Sequence, residues 1–357
     1  MTADLASLFS PDYAAARERF RAAALEAGAT VDALYLEARG PRNERLAIDC
    51  ARLGHPDARR VLLHTSGLHG VEAFAGSAVQ LAVLQSPPPL RAGCALVLAH
   101  VLNPYGMAWL RRANENNVDL NRNFLTGAER WQGAPALYAK LDSLLNPRSP
   151  PRPDGFWASL ALLALRHGVR APRQAIAEGQ YEYPRGLFFG GKRLEAGPRL
   201  FLDWLRRNVP ATAYLFAIDM HSGLGRWGEE TPIAATGGAT PPDRLARALR
   251  RPLVDPGAGA GVYRIRGGMG ESLSALLTGV RVDFVLQEIG TRPAASVLRA
   301  LREENRAHYY AAANMLHPAK LALREALSPA DPRWRRRAVD HGLSLLRAAA
   351  EWTFKDQ

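Results

Sequence analysis

Short apolar runs separated by Gly, Pro and polar clusters punctuate the first two thirds of the chain. Val31 to Glu37 alternates, and Leu46 to Leu53 is largely apolar, as paired strands would be. Val61 to Thr65, Ala95 to Val101, Ala213 to Met220 and Val280 to Glu288 read as short strands buried on both faces. Between them the period changes to that of helices. Ser10-Pro11-Asp12 predicts an N-cap with proline at the first helical position, and Gly28 a C-terminal stop. Val71 to Leu84 reads as a helix, as do Pro135 to Leu145 and Trp157 to His167. From Ala294 to Phe354 the pattern is almost wholly helical.

Strands alternating with helices predict an α/β fold: a mixed, mostly parallel central sheet with helices on both faces. No internal repeat or long linker divides the 357 residues. We expect one catalytic domain over 1–357, with an insertion at about 126–200 and a helical tail at about 294–357.

Composition narrows the class. Hydrophobic residues make up 47% of the chain, enough for a sizeable core. The net charge is +12, but only Arg333, Arg335, Arg336 and Arg337 cluster tightly, as on a solvated helix face. No nucleic-acid partner is expected. Cys50 and Cys94 lie in apolar runs, which predicts buried thiols rather than a disulfide. The N-terminus lacks the basic start and apolar run of a secretory leader, and no apolar stretch reaches spanning length. The expectation is a cytoplasmic protein without a membrane partner; oligomeric state is left open.

The chemistry gathers at strand ends. Ser66-Gly67-Leu68-His69-Gly70-Val71-Glu72 follows one buried strand. A spacing of three puts His69 and Glu72 on one side of a helical turn, where imidazole nitrogen and carboxylate oxygen suit a metal. Asp219-Met220-His221-Ser222-Gly223 closes another buried strand, so His221 can converge on the first pair. Three protein ligands leave a fourth position for water, the catalytic pattern. Asn103-Pro104-Tyr105-Gly106, Arg112-Ala113-Asn114 and Asp119-Leu120-Asn121-Arg122-Asn123-Phe124 concentrate polar groups after a third strand. Gln287-Glu288-Ile289-Gly290 puts a carboxylate at a strand end, where it either caps the next helix or works in a site.

Together these pieces resemble the M14-type zinc metallocarboxypeptidases, a superfamily that includes the aspartoacylase and succinylglutamate desuccinylase branch. The resemblance covers roughly residues 45–290 and rests mainly on Asn-Pro-x-Gly, Arg-x-Asn and Asp-Leu-Asn-Arg-Asn-Phe. The stretch Gln180 to Gly191 is similar to a bacterial subgroup labelled DUF2817. The resemblance implies one Zn²⁺ per chain, held by His69, Glu72 and His221. Asp119 would orient a ligand histidine, and Arg112 would stabilise the oxyanion; Arg111 beside it is the rival, with a solvated helix position as its plain reading. Asn121 and Arg122 would grip the substrate's terminal carboxylate, Glu288 would be the general acid/base, and Tyr263 is similar to the mobile substrate-capping tyrosine.

The implied activity is hydrolysis of an amide next to a free carboxylate, on a small peptide or an N-acyl amino acid. Deacylation of N-acyl amino acids in the aspartoacylase manner is the alternative, and a non-catalytic binding protein on the same fold is a reading of another class. The other histidines belong to no ligand pattern; His100, close to Asn103, is the first exception to look for.

Overall fold

The alternating runs become seven strands in the computed structural model, which describes residues 5–127, 129–209, 211–255, 263–312 and 314–355. They are β1 Thr30–Arg39, β2 Arg45–Gly54, β3 Arg60–Ser66, β4 Cys94–His100, β5 Tyr214–Gly223, β6 Glu230–Ala234 and β7 Arg281–Gly290. Their spatial order is β1-β2-β4-β3-β5-β7-β6. The pairs β4–β3, β3–β5 and β5–β7 are parallel, while β1–β2, β2–β4 and β6–β7 are antiparallel. This is a mixed sheet with a parallel centre, the expected class.

Period-two geometry explains the two cores. Leu62, Leu96, Leu98, Phe216, Ile218 and Met220 point to one face. That face is covered by the helices Tyr13–Glu26, Ala73–Gln85 and Pro332–Thr353. Val61, Leu63, Val97, Leu215 and Ala217 point to the other, under the helices Ala196–Asn208 and Met269–Leu276. Central strands buried on both faces carry no polar face, which is why they read as continuous apolar runs.

Some local expectations change. The first helix begins at Tyr13, with Asp12 as N-cap accepting from the Ala15 amide; Ser10 and Pro11 lie outside it. The segment 294–354 is three helices, Ala294–Tyr310, Pro318–Leu327 and Pro332–Thr353. Between β4 and β5, the helices Ala136–Leu145, Phe156–His167 and Arg170–Ala177 occupy the segment read as an insertion. The strand β6 carries Pro232, which hides it from a strand pattern; as the last strand of the sheet it pairs with β7 on one side and meets only a single bridge, from Val254, on the other, where proline is tolerated. Cys50 and Cys94 are buried and form no disulfide. Among the described residues no helix is long and apolar enough to cross a membrane.

Candidate metal centre

His69 does not sit inside a regular helix. It caps a 3-10 turn, Gly70–Glu72, that leaves the end of β3 and precedes the helix Ala73–Gln85. In a 3-10 turn, residues three apart eclipse, so His69 and Glu72 stack more directly than in an α-helix. The turn is clamped in place. The Gly70 and Val71 amides donate to the Arg112 and Arg111 carbonyls at 3.2 and 2.8 Å. A Cβ on Gly70 would stand 2.1 Å from the Gly106 carbonyl carbon, so glycine is required at this crossing.

The ligand atoms converge from three places. His69 Nδ1 lies 3.1 Å from Glu72 Oε1 and 3.1 Å from His221 Nδ1, and His221 Nδ1 lies 3.4 Å from Glu72 Oε2. All three residues are buried. The outward nitrogens meet carboxylates: His69 Nε2 is 3.0 Å from Asp119 Oδ1, and His221 Nε2 is 2.5 Å from Asp219 Oδ2. A carboxylate only accepts, so we assign the ring hydrogens to Nε2 in both imidazoles. Arg112 Nη2, 2.9 Å from His69 Nε2, then shares Asp119 rather than the ring, since its Nε donates to Asp119 Oδ2 at 3.1 Å.

With the hydrogens outside, three lone-pair donors face one another at the centre. Such a cluster repels itself unless a cation lies between. The spacings match the edges of about 3.3 Å expected for a tetrahedron with bonds of about 2.0–2.1 Å. The residues therefore fit a zinc-type ion. Without an ion, burial disfavours charge on His221. Asp219 and Glu72 outweigh burial and push its pKa well above the ordinary range, the response of a site built to hold positive charge.

Glu72 is fixed from two sides. Arg112 Nη1 donates to Oε1 at 2.7 Å and the Ser222 amide to Oε2 at 3.1 Å. Burial alone would raise its pKa; His69, Arg112 and the bond to His221 outweigh this and hold it well below the usual carboxylate range. Asp119 follows the same pattern: burial opposes, while Arg112, His69 and Arg122 hold it down. Asp119 caps the short turn Leu120–Arg122, its side chain accepting from the Asn121 amide.

Glu288 lies on β7 at the position that pairs with His221 on β5. Its Oε2 accepts from the Leu224 amide at 3.3 Å. Burial pushes its pKa up, with His221 opposing and Glu72 adding to the rise. Asn121, Arg122, Tyr263 and Glu288 line a pocket of about 80 Å³ that begins at His69 and Arg112. Tyr263 lies under the Arg173 guanidinium, 5.6 Å from its ring centre. Arg122 is buried. Its Nε donates to the Ala177 carbonyl at 2.9 Å, Nη2 donates to the same oxygen, and Nη1 donates to the Asn121 carbonyl at 2.9 Å.

Two further residues complete the centre. Asp219, two positions before His221, is not among the residues the sequence motifs single out, although a spacing of two on a strand puts both side chains on one face. Thr65 Oγ1 donates to its other oxygen at 2.6 Å. Phe188 holds left-handed backbone (φ 57°) and sets its ring 5.4 Å from the Arg112 guanidinium and 5.8 Å from that of Arg122. Nothing in the sequence signals that.

Arg111 corrects its plain reading. It is buried, not solvated: Nε donates to Glu304 at 3.1 Å and Nη2 to Asn117 and Asn305 at 2.9 and 3.1 Å. Arg112 is the arginine at the centre. His100 is buried against Phe20, ring centres 4.4 Å apart, with Nε2 on Ser77 Oγ.

A family model described as "Protein of unknown function (DUF2817)" matches residues 9–341. No curated protein matches the chain. Among solved structures, it is similar to carboxypeptidase A from Helicoverpa armigera at 13% identity, over 95% of this chain and 74% of the other, with a TM-score of 0.48. Bovine thrombin-activatable fibrinolysis inhibitor, solved with tick carboxypeptidase inhibitor, is 11% identical over 93% and 97%, with a TM-score of 0.45. Murein-tripeptide amidase MpaA from Escherichia coli O157 is 16% identical over 77% and 91%, with a TM-score of 0.40.

Proposed function

This chain belongs to the DUF2817 family, and we propose that it is a zinc-dependent hydrolase of an amide bond next to a free carboxylate. The observation that carries the reading is the inward convergence of His69 Nδ1, His221 Nδ1 and Glu72, with each outward Nε2 held by its own carboxylate. Imidazoles oriented this way are the arrangement metal sites use to fix tautomer and basicity. We take the chain as one catalytic unit, with the segment 126–200 as part of its cleft.

When bound, zinc would serve as a Lewis acid toward the substrate carbonyl and the attacking water. The protein supplies the rest. Glu288 takes the proton of the attacking water at its carboxylate and delivers it to the leaving nitrogen. Its raised pKa suits a group that must both accept and return a proton. Arg112 stands beside the ligands to meet the oxyanion, and its bonds to Glu72 and Asp119 keep it from swinging away. Asn121 and Arg122 line the pocket where the carboxylate on the amine side would lie, and Tyr263 borders it. A guanidinium fork suits that carboxylate.

The test is metal analysis of the purified protein, followed by turnover of dipeptides and N-acyl amino acids before and after chelation. About one zinc per chain and activity lost with chelator and restored by zinc support the reading. Turnover that is indifferent to complete metal removal sinks it.

A further inference from the structure

A second cavity, about 480 Å³, opens beside the metal centre. It shares Arg112, Leu224, Tyr263 and Glu288 with the pocket that holds Asn121 and Arg122. The two cavities therefore meet at the groups that would surround the scissile bond. An amide whose carbonyl sits there must send its amine part into one cavity and its acyl part into the other. If the carboxylate-bearing amine part lies with Arg122, the acyl part enters the second cavity.

That cavity is apolar away from the centre. Leu160, Leu163, Val297, Leu298 and Leu301 line it. They stand past the first turn of the helices Phe156–His167 and Ala294–Tyr310, where backbone groups are spent within the helices. A peptide strand entering here would leave its own N–H and C=O groups without partners, at a real cost. An alkyl chain needs none. The volume falls in the range of about 300–1,000 Å³ that accepts a whole small ligand.

A second observation points the same way. The helix Phe156–His167 is FWASLALLALRH, yet only Phe156 and Leu163 are buried in it. Trp157, Leu162, Leu165 and Val169 are exposed, half of the large exposed hydrophobics among the described residues. Of these, Trp157 and Val169 line the cavity, so part of its wall is apolar and incompletely covered, which an apolar ligand would correct.

We propose that the substrates are N-acyl amino acids with a long aliphatic acyl chain, which lies in this cavity while Arg122 holds the amino-acid carboxylate. The proposal rests on the hydrolase reading above. Water adds its oxygen to the acyl carbon, the C–N bond breaks, and the proton goes to the amine, giving a fatty acid and a free amino acid.

The experiment is a series of acetyl-, hexanoyl-, decanoyl- and tetradecanoyl-leucine, with dipeptides alongside. It is run on wild type and on Ala164→Trp, which places an indole in the cavity. Decanoate binding by calorimetry gives a readout independent of turnover. We expect kcat/KM to rise about threefold to fourfold per methylene until the cavity is full. Ala164→Trp should lower the ratio of long-chain to acetyl turnover at least tenfold and weaken decanoate binding. A flat or falling series, or faster turnover of dipeptides, overturns the proposal and leaves the hydrolase standing. Decanoate binding sensitive to Ala164→Trp, with no amide cleaved, keeps the chain-binding cavity and removes the hydrolase. Tight binding to phosphatidylcholine vesicles without chain-length preference assigns the exposed helix to a membrane surface, and the proposal fails.

Discussion

His221 and Glu288 are direct partners in the parallel register of β5 and β7. A candidate ligand and the candidate base are therefore spaced by one backbone ladder, not by a loop. Their side chains leave the same face of the sheet. Glu288→Gln keeps the size and removes the base. It should retain zinc and substrate affinity while kcat falls about 10²–10⁴-fold. Unchanged kcat would move the base elsewhere.

The same residue sets a pH limit. Glu288 must be ionised to accept a proton, and burial has raised its pKa. Activity should fall as pH drops through that raised value, at higher pH than an ordinary carboxylate near 4.3 would give. A kcat/KM profile at constant zinc occupancy measures it. An acid limb at or below the ordinary value contradicts the environment described for Glu288.

Metal affinity should depend on the outer carboxylates as well as the ligands. His69→Ala and His221→Ala should lose zinc. Asp119→Asn and Asp219→Asn should weaken it about 10–100-fold, because each fixes a ligand ring and its tautomer. Chelator competition reads this directly. If Asp219→Asn binds zinc as the wild type does, the hydrogen of His221 is placed by something else.

Arg122 has two duties that separate in measurement. Its bonds to the Ala177 carbonyl hold the helix Arg170–Ala177 against the turn Leu120–Arg122. Losing them should cost about 1–3 kcal/mol of stability. Its place in the substrate pocket predicts a further loss in kcat/KM of roughly 30-fold or more for free-acid substrates. Amidated substrates should be far less sensitive to Arg122→Ala. If amidation and the substitution simply add, Arg122 is a brace for the loop and does not touch the carboxylate.

Acid should destabilise the fold through the buried histidines. His64 and His100 are held neutral by burial, with pKa values lowered to about 4 from 6.5. Between those values the unfolded chain binds more protons, so stability is complete above pH 6.5 and falls as pH drops toward 4. Each residue should contribute a loss of about 2 kcal/mol by pH 5. Urea denaturation of wild type and His64→Gln at pH 7 and pH 5 tests the share of one site. A difference between the two pH values that is equal in both proteins rules it out.

Much of this site was legible in the sequence because its parts close buried strands. His69, His221 and Glu288 each stand where an apolar run ends or shortly after, and the sheet brings those ends together; Asp119 was legible from the polar motif around it instead. Asp219 was equally readable from its spacing to His221, but a lone Asp before a His also occurs without purpose. Arg111 was not readable. Its partner Glu304 lies 193 residues away, and only the fold joins them. Phe188 was hidden for another reason: an aromatic residue in left-handed backbone goes against local preference, so local preference cannot announce it.

The placement of Phe188 bears on how this chain could be trimmed or grafted. Its ring faces both Arg112 and Arg122, and Ala177 from the same stretch of chain seats Arg122. Cutting 126–200 down to a short loop would strip two positive charges of their surroundings and leave the floor of the candidate site unfurnished. That segment cannot be exchanged as a module to alter specificity alone; any transplant must carry a ring and a carbonyl to the same two points.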